Sequence, residues 1–214
     1  FIWECIRMSI SYPLSFPTHT NVSSIELHTI NAVAMSMSPF TFKQQVFAHQ
    51  GQRWEADVSL PPMKRSDAEQ WVAWIVSLKG LRGTFLMGDP VGCSARGSVG
   101  GTPVVQGAGQ IGDTLNIDGA TASQTGWAKA GDYIQLGSAS SASLHKVLAD
   151  ANSDGGGNVT LDIWPNLNIA QADNSTVVTS NAKGVWRLTS NEANWSISNL
   201  AIYGLTFGCT QAIV

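Results

Sequence analysis

Glycine, glutamate and methionine are distributed unevenly along the chain, and this constrains the fold more than any single motif does. Residues 95–185 contain 14 of the 21 glycines, seven Asp and four Lys or Arg, but no Glu and no Met. The two flanks together hold all five Glu and all five Met. Because the flanks resemble each other more than either resembles the middle, we expect a domain inserted into a loop of a host domain that the C-terminal segment completes.

The predicted boundaries follow from this change in composition. We expect a host domain of residues 8–94 and 186–214, and an insert of residues 95–185. Residues 1–7 precede the first methionine and lack the basic start and apolar run of a secretory signal, so we expect an extension upstream of the native start. A chain of 214 residues can bury a core without metals or disulfides, so stability indicates no cofactor.

Alternation of apolar and polar residues predicts strands in the host domain. Val33, Met35 and Met37 alternate with Ala and Ser, and Phe40 and Phe42 follow a proline, so a strand is expected to start here. The turn-forming residues 49–52 predict a hairpin that joins residues 42–48 to residues 53–60. Pro61 and Pro62 are expected to end this ladder, because proline has no backbone N–H to donate.

Two further host strands are predicted. Residues 84–87 form one of them. The stretch from residue 193 to residue 214 carries no charge and is long enough to suggest a membrane span. From Trp195 to Cys209, however, seven of the eight odd-numbered positions are apolar. That period is typical of a strand and argues against a helix in lipid.

One amphipathic helix is predicted at residues 67–79. Ser66 and Glu69 have the spacing of a capping box, in which each side chain satisfies a free backbone N–H. Gly80 is placed to cap the C-terminus in the left-handed conformation. The expected buried stripe consists of Ala68, Trp71, Val72, Ile75 and Leu78.

Short strands separated by turn residues fill the predicted insert. They are expected at residues 114–118, 132–137, 144–149, 159–164 and 176–179, with no helical pattern between them. Such spacing predicts a small barrel or sandwich. The predicted fold class is therefore mainly β, a β-sandwich with one flanking α-helix plus an inserted small all-β domain.

Two segments of the insert match ligand-binding motifs, but each match is incomplete. Gly107, Gly109 and Gly112 match the dinucleotide fingerprint, but the residues that follow predict a strand where the motif requires a helix. A calcium-loop pattern at residues 150–155, made by Asp150, Asn152, Asp154 and Gly155, has Leu161 where a bidentate Glu is needed. We therefore expect hairpin turns, with no cofactor and no metal.

The histidines and cysteines show no catalytic or metal-binding spacing. His145 lies beside a strand rich in Asp, but it lacks a nucleophile motif to act upon, and the other histidines are His19, His28 and His49. The three cysteines, Cys5, Cys93 and Cys209, are far apart and odd in number, so we expect buried, inert thiols and a reducing place of synthesis. We predict no catalytic residue and no enzymatic activity.

Charge and aromatic residues limit the partners. The net charge of −3 and the lack of a Lys/Arg cluster argue against tight nucleic-acid binding, which needs a basic surface. Trp127 and Trp164 are the only tryptophans between residues 95 and 185. An exposed indole can stack on a sugar ring, so both are candidate ligand-stacking residues, with burial in the core as the alternative.

Five segments, taken in order, resemble distal tail proteins of long, flexible-tailed bacteriophages. They are MSISYPLSFP from Met8, SDAEQWVAW from Ser66, GTFLMGDP from Gly83, GDYIQLG from Gly131 and NVTLDIWP from Asn158. The resemblance implies a sandwich domain with one helix that forms a hexameric ring between the tail tube and the tail tip or hub. It also implies an outer β-domain, synthesis in the bacterial cytoplasm, a place in the virion at the tail tip, and DNA that only passes through the lumen, with no membrane insertion.

Three alternatives to the distal ring remain open at this point. Residues 95–185 are a candidate carbohydrate- or receptor-binding module for a host-surface glycan, with Trp127 or Trp164 as the platform. A tail tube or terminator subunit would share the sandwich-plus-helix plan. An unrelated β-rich hydrolase would need converging Asp and His side chains in a pocket.

Overall fold

The structure, a computed structural model, describes residues 10–17, 22–198 and 202–213. Residues 1–7, Met8, His19 and Cys5 lie outside the described residues. In chain order the strands are β1 (Ser24–Met37), β2 (Gln44–Ser59), β3 (Met63–Lys64), β4 (Phe85–Met87), β5 (Gly101–Val105), β6 (Gly112–Ala120), β7 (Tyr133–Leu136), β8 (Ser143–Val147), β9 (Val159–Leu167), β10 (Val177–Val178), β11 (Gly184–Leu188), β12 (Trp195–Ile197) and β13 (Ile202–Gln211). The α-helix α1 spans Arg65–Leu78, and short 3₁₀ turns occupy Gly80–Arg82 and Ala139–Ser141.

A seven-stranded antiparallel sheet forms the first part of the fold, in the order β1-β2-β13-β11-β4. Strands β3 and β12 pair with β13 up to Leu205, whereas β2 and β11 pair with it from Thr206 onward. Strand β13 therefore belongs to both layers of a β-sandwich, and α1 flanks it. The predicted C-terminal run is indeed extended, but it folds back on itself as the two paired strands β12 and β13.

The helix differs from its prediction at both ends. It begins at Arg65, and its N-cap is Lys64, which makes no side-chain capping bond. The predicted capping box is wrong because Ser66 lies inside the helix and bonds Asp67, while Glu69 pairs with Arg65 at 3.2 Å. Lys79, at φ 53°, takes the left-handed cap position that was expected for Gly80.

The buried face of α1 largely matches the predicted stripe. Ala68, Trp71, Ile75 and Leu78 are buried, and Val72 is half-buried. Trp74 is buried as well and makes an edge-on contact with Phe85 of β4, their ring centroids 5.0 Å apart. This aromatic contact fixes α1 on the sandwich, since such pairs add to the free energy of burial.

The predicted turn at residues 49–52 is wrong. Residues Gln44–Ser59 form one continuous strand, and the chain reverses at residues 38–43, with Phe42 in the left-handed region at φ 54°. The register of β1 against β2 shifts between Asn31 and Val33, opposite Gln52 and Ala48. The extra residues of β2, Gly51 among them, are thus absorbed as a β-bulge, which bends a strand without ending it.

A six-stranded sheet forms the second part of the fold, in the order β10-β7-β8-β9-β6-β5. Its two ends nearly meet, because Val104 bridges Thr176 and the Val105 N–H donates to the carbonyl of Ser175 at 2.9 Å. The result is a barrel-like domain, as predicted for the fold class. Strand β5 is not predictable from the sequence pattern, because it contains Gly101 and Pro103, which both weaken that pattern.

The chain leaves the seven-stranded sheet after β4 and returns to it at β11, and these two strands pair with each other. Two hydrophobic clusters result. One surrounds Trp71 and Trp186 in the sandwich, and the other surrounds Trp127 in the barrel. Leu144 and Tyr133 of the barrel belong to the first cluster, so the two sheets share a buried contact.

Candidate functional site

The β1–β2 hairpin continues beyond the rest of the seven-stranded sheet. Strand β13 pairs with β2 only from Glu55 onward, whereas β1 and β2 remain paired from Val33 to Met37 and from Gln44 to Ala48. We call residues 33–48 the arm. All of its side chains are exposed except Ser38, which is half-buried. The arm is therefore a two-stranded ribbon with solvent on both faces.

Apolar side chains cover both faces of the arm. Met35 and Val46 are directly opposite each other on one face, at 61% and 58% exposure. Phe47 lies opposite Ala34 on the other face, at 54% exposure. At the tip Phe40 is 92% exposed, and the exposed apolar set of the arm also includes Val33, Met37 and Phe42.

The charge of the arm is as informative as its apolar surface. Lys43 is the only Lys, Arg, Asp or Glu in residues 33–48. An isolated two-stranded hairpin is marginally stable in water, and exposed apolar patches of this kind mark interaction surfaces. The arm is therefore a surface suited to another apolar protein surface, and one cation is too few to grip nucleic acid.

The outer edge of the sheet beside the arm is also open. Strand β1 is the last strand of the sheet order within the described residues, and it contains neither Lys nor Pro, the residues that commonly protect edge strands. The opposite edge, β4, is covered. Leu14 donates its N–H to the carbonyl of Thr84 at 2.8 Å and accepts from the N–H of Leu86 at 2.9 Å.

Three apolar side chains are also exposed at β12 and the start of β13. Trp195, Ile197 and Ile202 are 39%, 59% and 40% exposed. Trp195 and Ile197 lie opposite Leu205 and Tyr203, whose side chains are buried in the sandwich. Ile202 pairs with Lys64 of β3 and lies on the other face of the strand, because side chains alternate along it.

The barrel contacts the sandwich at the base of the arm, along a surface we call the seam. Trp164 of β9 packs edge-on against Trp54 of β2, with ring centroids 4.5 Å apart, and its indole N–H donates to Asn31 Oδ1 at 2.8 Å. The N–H of Asn166 donates to Gln52 Oε1 at 2.8 Å. These bonds hold the two strands of the hairpin at the bulge.

The two candidate stacking residues have different environments. Trp127 is fully buried in the barrel, and its indole N–H donates to the carbonyl of Gly100 at 3.0 Å, which removes it as a platform for a ligand. Trp164 is exposed in part but is already engaged at the seam. Its role in ligand stacking stays a prediction, and it is the only one of the pair with accessible ring surface.

His145 is buried in a small cavity beside the seam. The carbonyl of Pro165 can only accept, so Nδ1 of His145 carries the proton and donates to it at 2.7 Å, while Nε2 accepts from Ser143 Oγ at 2.9 Å. Burial lowers the pKa of His145 to about 4, with the bond to Pro165 opposing this. The neutral ring is a satisfied structural group.

The Ser143–His145 pair has the contact of a nucleophile and its base, but its surroundings do not suit catalysis. A base with a pKa of about 4 is weak at neutral pH. The cavity beside it, lined by Gln52, Pro165 and Gln211 among others, has a volume of about 70 Å³. Small-molecule sites usually measure about 300–1,000 Å³, so this cavity is small for such a site.

A larger groove of about 450 Å³ lies between the sandwich and the loop after β4. Its walls include Phe16, Ile25, Trp71 and Met87, which are apolar. Asp89 at its rim already accepts the N–H groups of Val91 and Gly92 through one carboxylate oxygen, at 2.8 and 2.9 Å. The other ionisable side chains that line this mainly apolar groove are Cys93 and Lys183.

The glycine motif forms a turn, as expected. Gly107, Gly109 and Gly112 all have φ between 79° and 98°, and a Cβ added to any of them would meet no atom within 4 Å. Strand β6 begins at Gly112, so no helix follows to receive a pyrophosphate. The three glycines serve the β5–β6 reversal.

The calcium-like pattern also forms turns, with its oxygens used for backbone bonds. Asp150 Oδ1 accepts from the N–H of Ala130 at 2.8 Å, and Asn152 Oδ1 from the N–H of Gly126 at 2.6 Å. The side chain of Asn158, followed by its backbone N–H, lowers the pKa of Asp154. In the part of the chain that the structure describes, no group of three or more His, Cys, Asp or Glu is placed to hold a metal ion.

The remaining histidines and cysteines are dispersed. His28 lies 3.4 Å from Asp57 on the exposed surface of the sandwich, and His49 is exposed in β2 beside the arm. Cys209 is buried, as expected, whereas Cys93 is only half-buried, and neither forms a disulfide among residues 10–17, 22–198 and 202–213. Within those same ranges, no helix is long and apolar enough to cross a membrane.

Comparison with known families concerns the barrel. A family model described as "Distal tail protein pb9, B domain" matches residues 92–182, a little less than half of the chain and a range that includes strands β5 to β10. Residues 92–182 are therefore similar to this family of phage tail domains. The match confirms the resemblance to phage distal tail proteins and supports a structural role in a phage tail. No curated protein sequence matches the chain.

Proposed function

We propose that this chain forms a closed hexameric ring at the distal end of a phage tail and joins the tail tube to the tail tip or hub. The observation that carries the proposal is the distal tail B-domain match in the barrel, together with an apolar arm on the sandwich. The match favours the distal ring over a tube or terminator subunit. The role is structural and needs no catalytic residue.

We also propose that residues 8–94 and 186–214 form the ring domain and that residues 95–185 form an outer domain inserted into it. Support comes from the pairing of β4 with β11, since the chain leaves and re-enters the sandwich at neighbouring points. The match to residues 92–182 covers nearly the same range as the proposed insert. The pairing of β4 with β11 completes the host sheet without the insert, so the sandwich can form the ring while the outer domain has a separate role.

The low charge of the arm supports a place in a DNA-conducting ring. Lumen walls that carry many Lys or Arg would hold the phosphates of DNA as it passes. The arm adds one Lys in 16 residues, and the whole chain has a net charge of −3. This composition favours passage of DNA over binding of DNA.

The mass of the purified full chain in solution tests the proposal. Light scattering after size exclusion should give six times the chain mass of 22.7 kDa. Antibody labelling of virions should then place the protein where the tube meets the tip. A monomer at high concentration that is also absent from particles would contradict the ring and the virion location together.

A further inference from the structure

We propose that the groove beside Trp71 binds an uncharged peptide segment of another tail protein. One large apolar side chain of that segment lies in the groove, and one of its backbone carbonyls accepts from the indole N–H of Trp71. We call the site the Trp71 groove; it is the groove of about 450 Å³ between the sandwich and the loop after β4. The inference goes beyond the proposed ring, because a single copy contains the whole groove.

The indole N–H of Trp71 lacks an acceptor. Trp71 lines the groove and is only 1% exposed, yet its Nε1 has no hydrogen-bond partner within the part of the chain that the structure describes. Five other indoles donate to an oxygen atom of the chain, namely those of Trp54, Trp74, Trp127, Trp164 and Trp186. Buried N–H groups are nearly always satisfied in folded proteins, so the exception at Trp71 indicates an acceptor that comes from outside the chain.

Two carbonyls of the groove lining are already engaged by other indoles. The carbonyl of Ser15 accepts from Trp74 at 2.8 Å, and the carbonyl of Met87 accepts from Trp186 at 2.9 Å. Both Ser15 and Met87 line the groove. The groove therefore presents a ligand with a free buried donor on Trp71, next to carbonyls that already hold a donor.

The walls of the groove are fixed by contacts within the chain. Phe16 stacks on Phe85, with ring centroids 5.6 Å apart, and its ring centroid lies 5.4 Å from that of Trp71. The two connections to the barrel are bonded to each other, because the N–H of Asn181 donates to the carbonyl of Cys93 at 2.7 Å. A wall that is formed before the ligand arrives lowers the entropic cost of binding.

The chemistry of the lining favours an uncharged peptide. The volume lies within the range of about 300–1,000 Å³ that is usual for ligand sites, and the lining is mainly apolar. Asp89 is its only acidic side chain and Lys183 its only basic one, so the lining has no net charge to attract an ion.

The buried donor also favours a peptide carbonyl as its acceptor. The indole N–H of Trp71 is neutral, and a carboxylate placed against it would lose its hydration in return for one bond. A backbone carbonyl is a strong neutral acceptor, and it comes with an adjoining side chain that can fill the apolar part of the groove. The match to a distal tail domain supports contact with other tail proteins, so one of them is the source that we assign.

Capped tripeptides test the groove on the isotope-labelled full chain. The probes are acetyl-Ala-Leu-Ala-amide, the two peptides with Gly or Glu in place of Leu, and toluene, which is apolar but has no acceptor. The indole N–H signal of Trp71, assigned by its loss in Trp71→Phe, should move downfield on addition of the leucine peptide. We expect the glycine and glutamate peptides to bind about tenfold more weakly, because one lacks the apolar side chain and the other brings a charge into the groove.

Two substitutions separate the carbonyl bond from the apolar contact. Trp71→Phe removes the donor and keeps a ring, so the leucine peptide should bind about fivefold more weakly, the effect of one hydrogen bond, while toluene binds as before. Ile25→Trp fills the groove and should block the leucine peptide. Ile30→Trp is the matched control on the same strand, because Ile30 is exposed and does not line the groove.

The outcomes either support or overturn the inference. A Trp71 signal that the leucine peptide moves in the unmodified chain and in Ile30→Trp, with weaker binding to Trp71→Phe, supports it. An unmoved signal up to the solubility limit of the peptide overturns it, as does equal binding of the glycine peptide or equal binding to Trp71→Phe. Tighter binding of toluene than of the leucine peptide would show a site for a small apolar compound and would also overturn it.

Light scattering on the same samples keeps this inference separate from the ring. A monomer that binds the leucine peptide contradicts the ring and supports the Trp71 groove as a peptide site. A ring that does not bind the peptide contradicts the peptide site alone.

Discussion

The buried carbonyl oxygen of Leu144 links the barrel to the sandwich, and its two side-chain donors make a sharp test of the seam. The indole N–H of Trp54 donates to it at 3.1 Å and the amide of Gln211 at 3.3 Å. Trp54→Phe keeps an aromatic ring, and Gln211→Leu keeps the volume, so each leaves the carbonyl with one donor. We expect each single change to lower the free energy of unfolding by about 1–2 kcal/mol, the net value of one bond plus a small packing loss.

The double variant should lose more than the sum of the two. With both donors gone, the carbonyl keeps neither compensating bond, and an unsatisfied buried acceptor costs about 1–3 kcal/mol. We therefore expect a coupling of about 1–2 kcal/mol in urea unfolding at one fixed protein concentration. Trp127→Phe combined with Gln211→Leu is the control, because Trp127 belongs to the other cluster and should be additive. Additivity within about 0.5 kcal/mol for Trp54 and Gln211 would refute the reasoning.

Three more predictions concern buried groups. Burial lowers the pKa of His145 from 6.5 to about 4, so between these pH values the unfolded chain binds a proton that the folded chain does not. The free energy of unfolding should therefore fall by about 3 kcal/mol as the pH drops from 6.5 to about 4, and urea unfolding of His145→Gln should lack this pH dependence. Burial, with a smaller effect from Asp57, raises the pKa of Cys209, so mass spectrometry should find maleimide on Cys93 in the folded chain and on Cys209 only after denaturation. Asp132→Ala should cost about 2–4 kcal/mol in thermal unfolding, and Asp132→Asn less, because the carboxylate accepts three backbone N–H groups, those of Arg96, Gly97 and Lys129.

Much of the fold could be predicted from local pattern and composition. The barrel strands β6 to β9 lie within or around the predicted ranges, because their buried residues alternate and their turns contain glycine. The turn at residues 49–52 could not be predicted correctly. His49 to Gln52 have turn chemistry, but pairing with β1 on both sides of the bulge retains them in one strand. Such a result depends on a partner strand that local sequence does not reveal.

The candidate site shows a different limit of sequence reasoning. Val33, Met35 and Met37 alternate with small residues, as the apolar residues of a core-facing strand do. The two-residue period does not distinguish a face buried in the core from a face that packs against another chain. The missing signal is charge. Residues 33–48 contain one charged side chain, which is unusual for a ribbon with solvent on both sides and is expected for an interface. Absence of charge on a predicted hairpin could have identified the arm.

The seam and the arm are connected through the β-bulge, so the barrel contacts the hairpin at the base of the arm. Asn31 and Gln52 are the last paired residues before the register shifts, and each bonds to the barrel, Asn31 to Trp164 and Gln52 to Asn166. A bulge is where a ribbon bends and increases its twist, so holding both strands there fixes the direction in which the arm leaves the sandwich. Trp164 is 133 residues from Asn31 in sequence. The barrel therefore fixes the direction of the arm at its base.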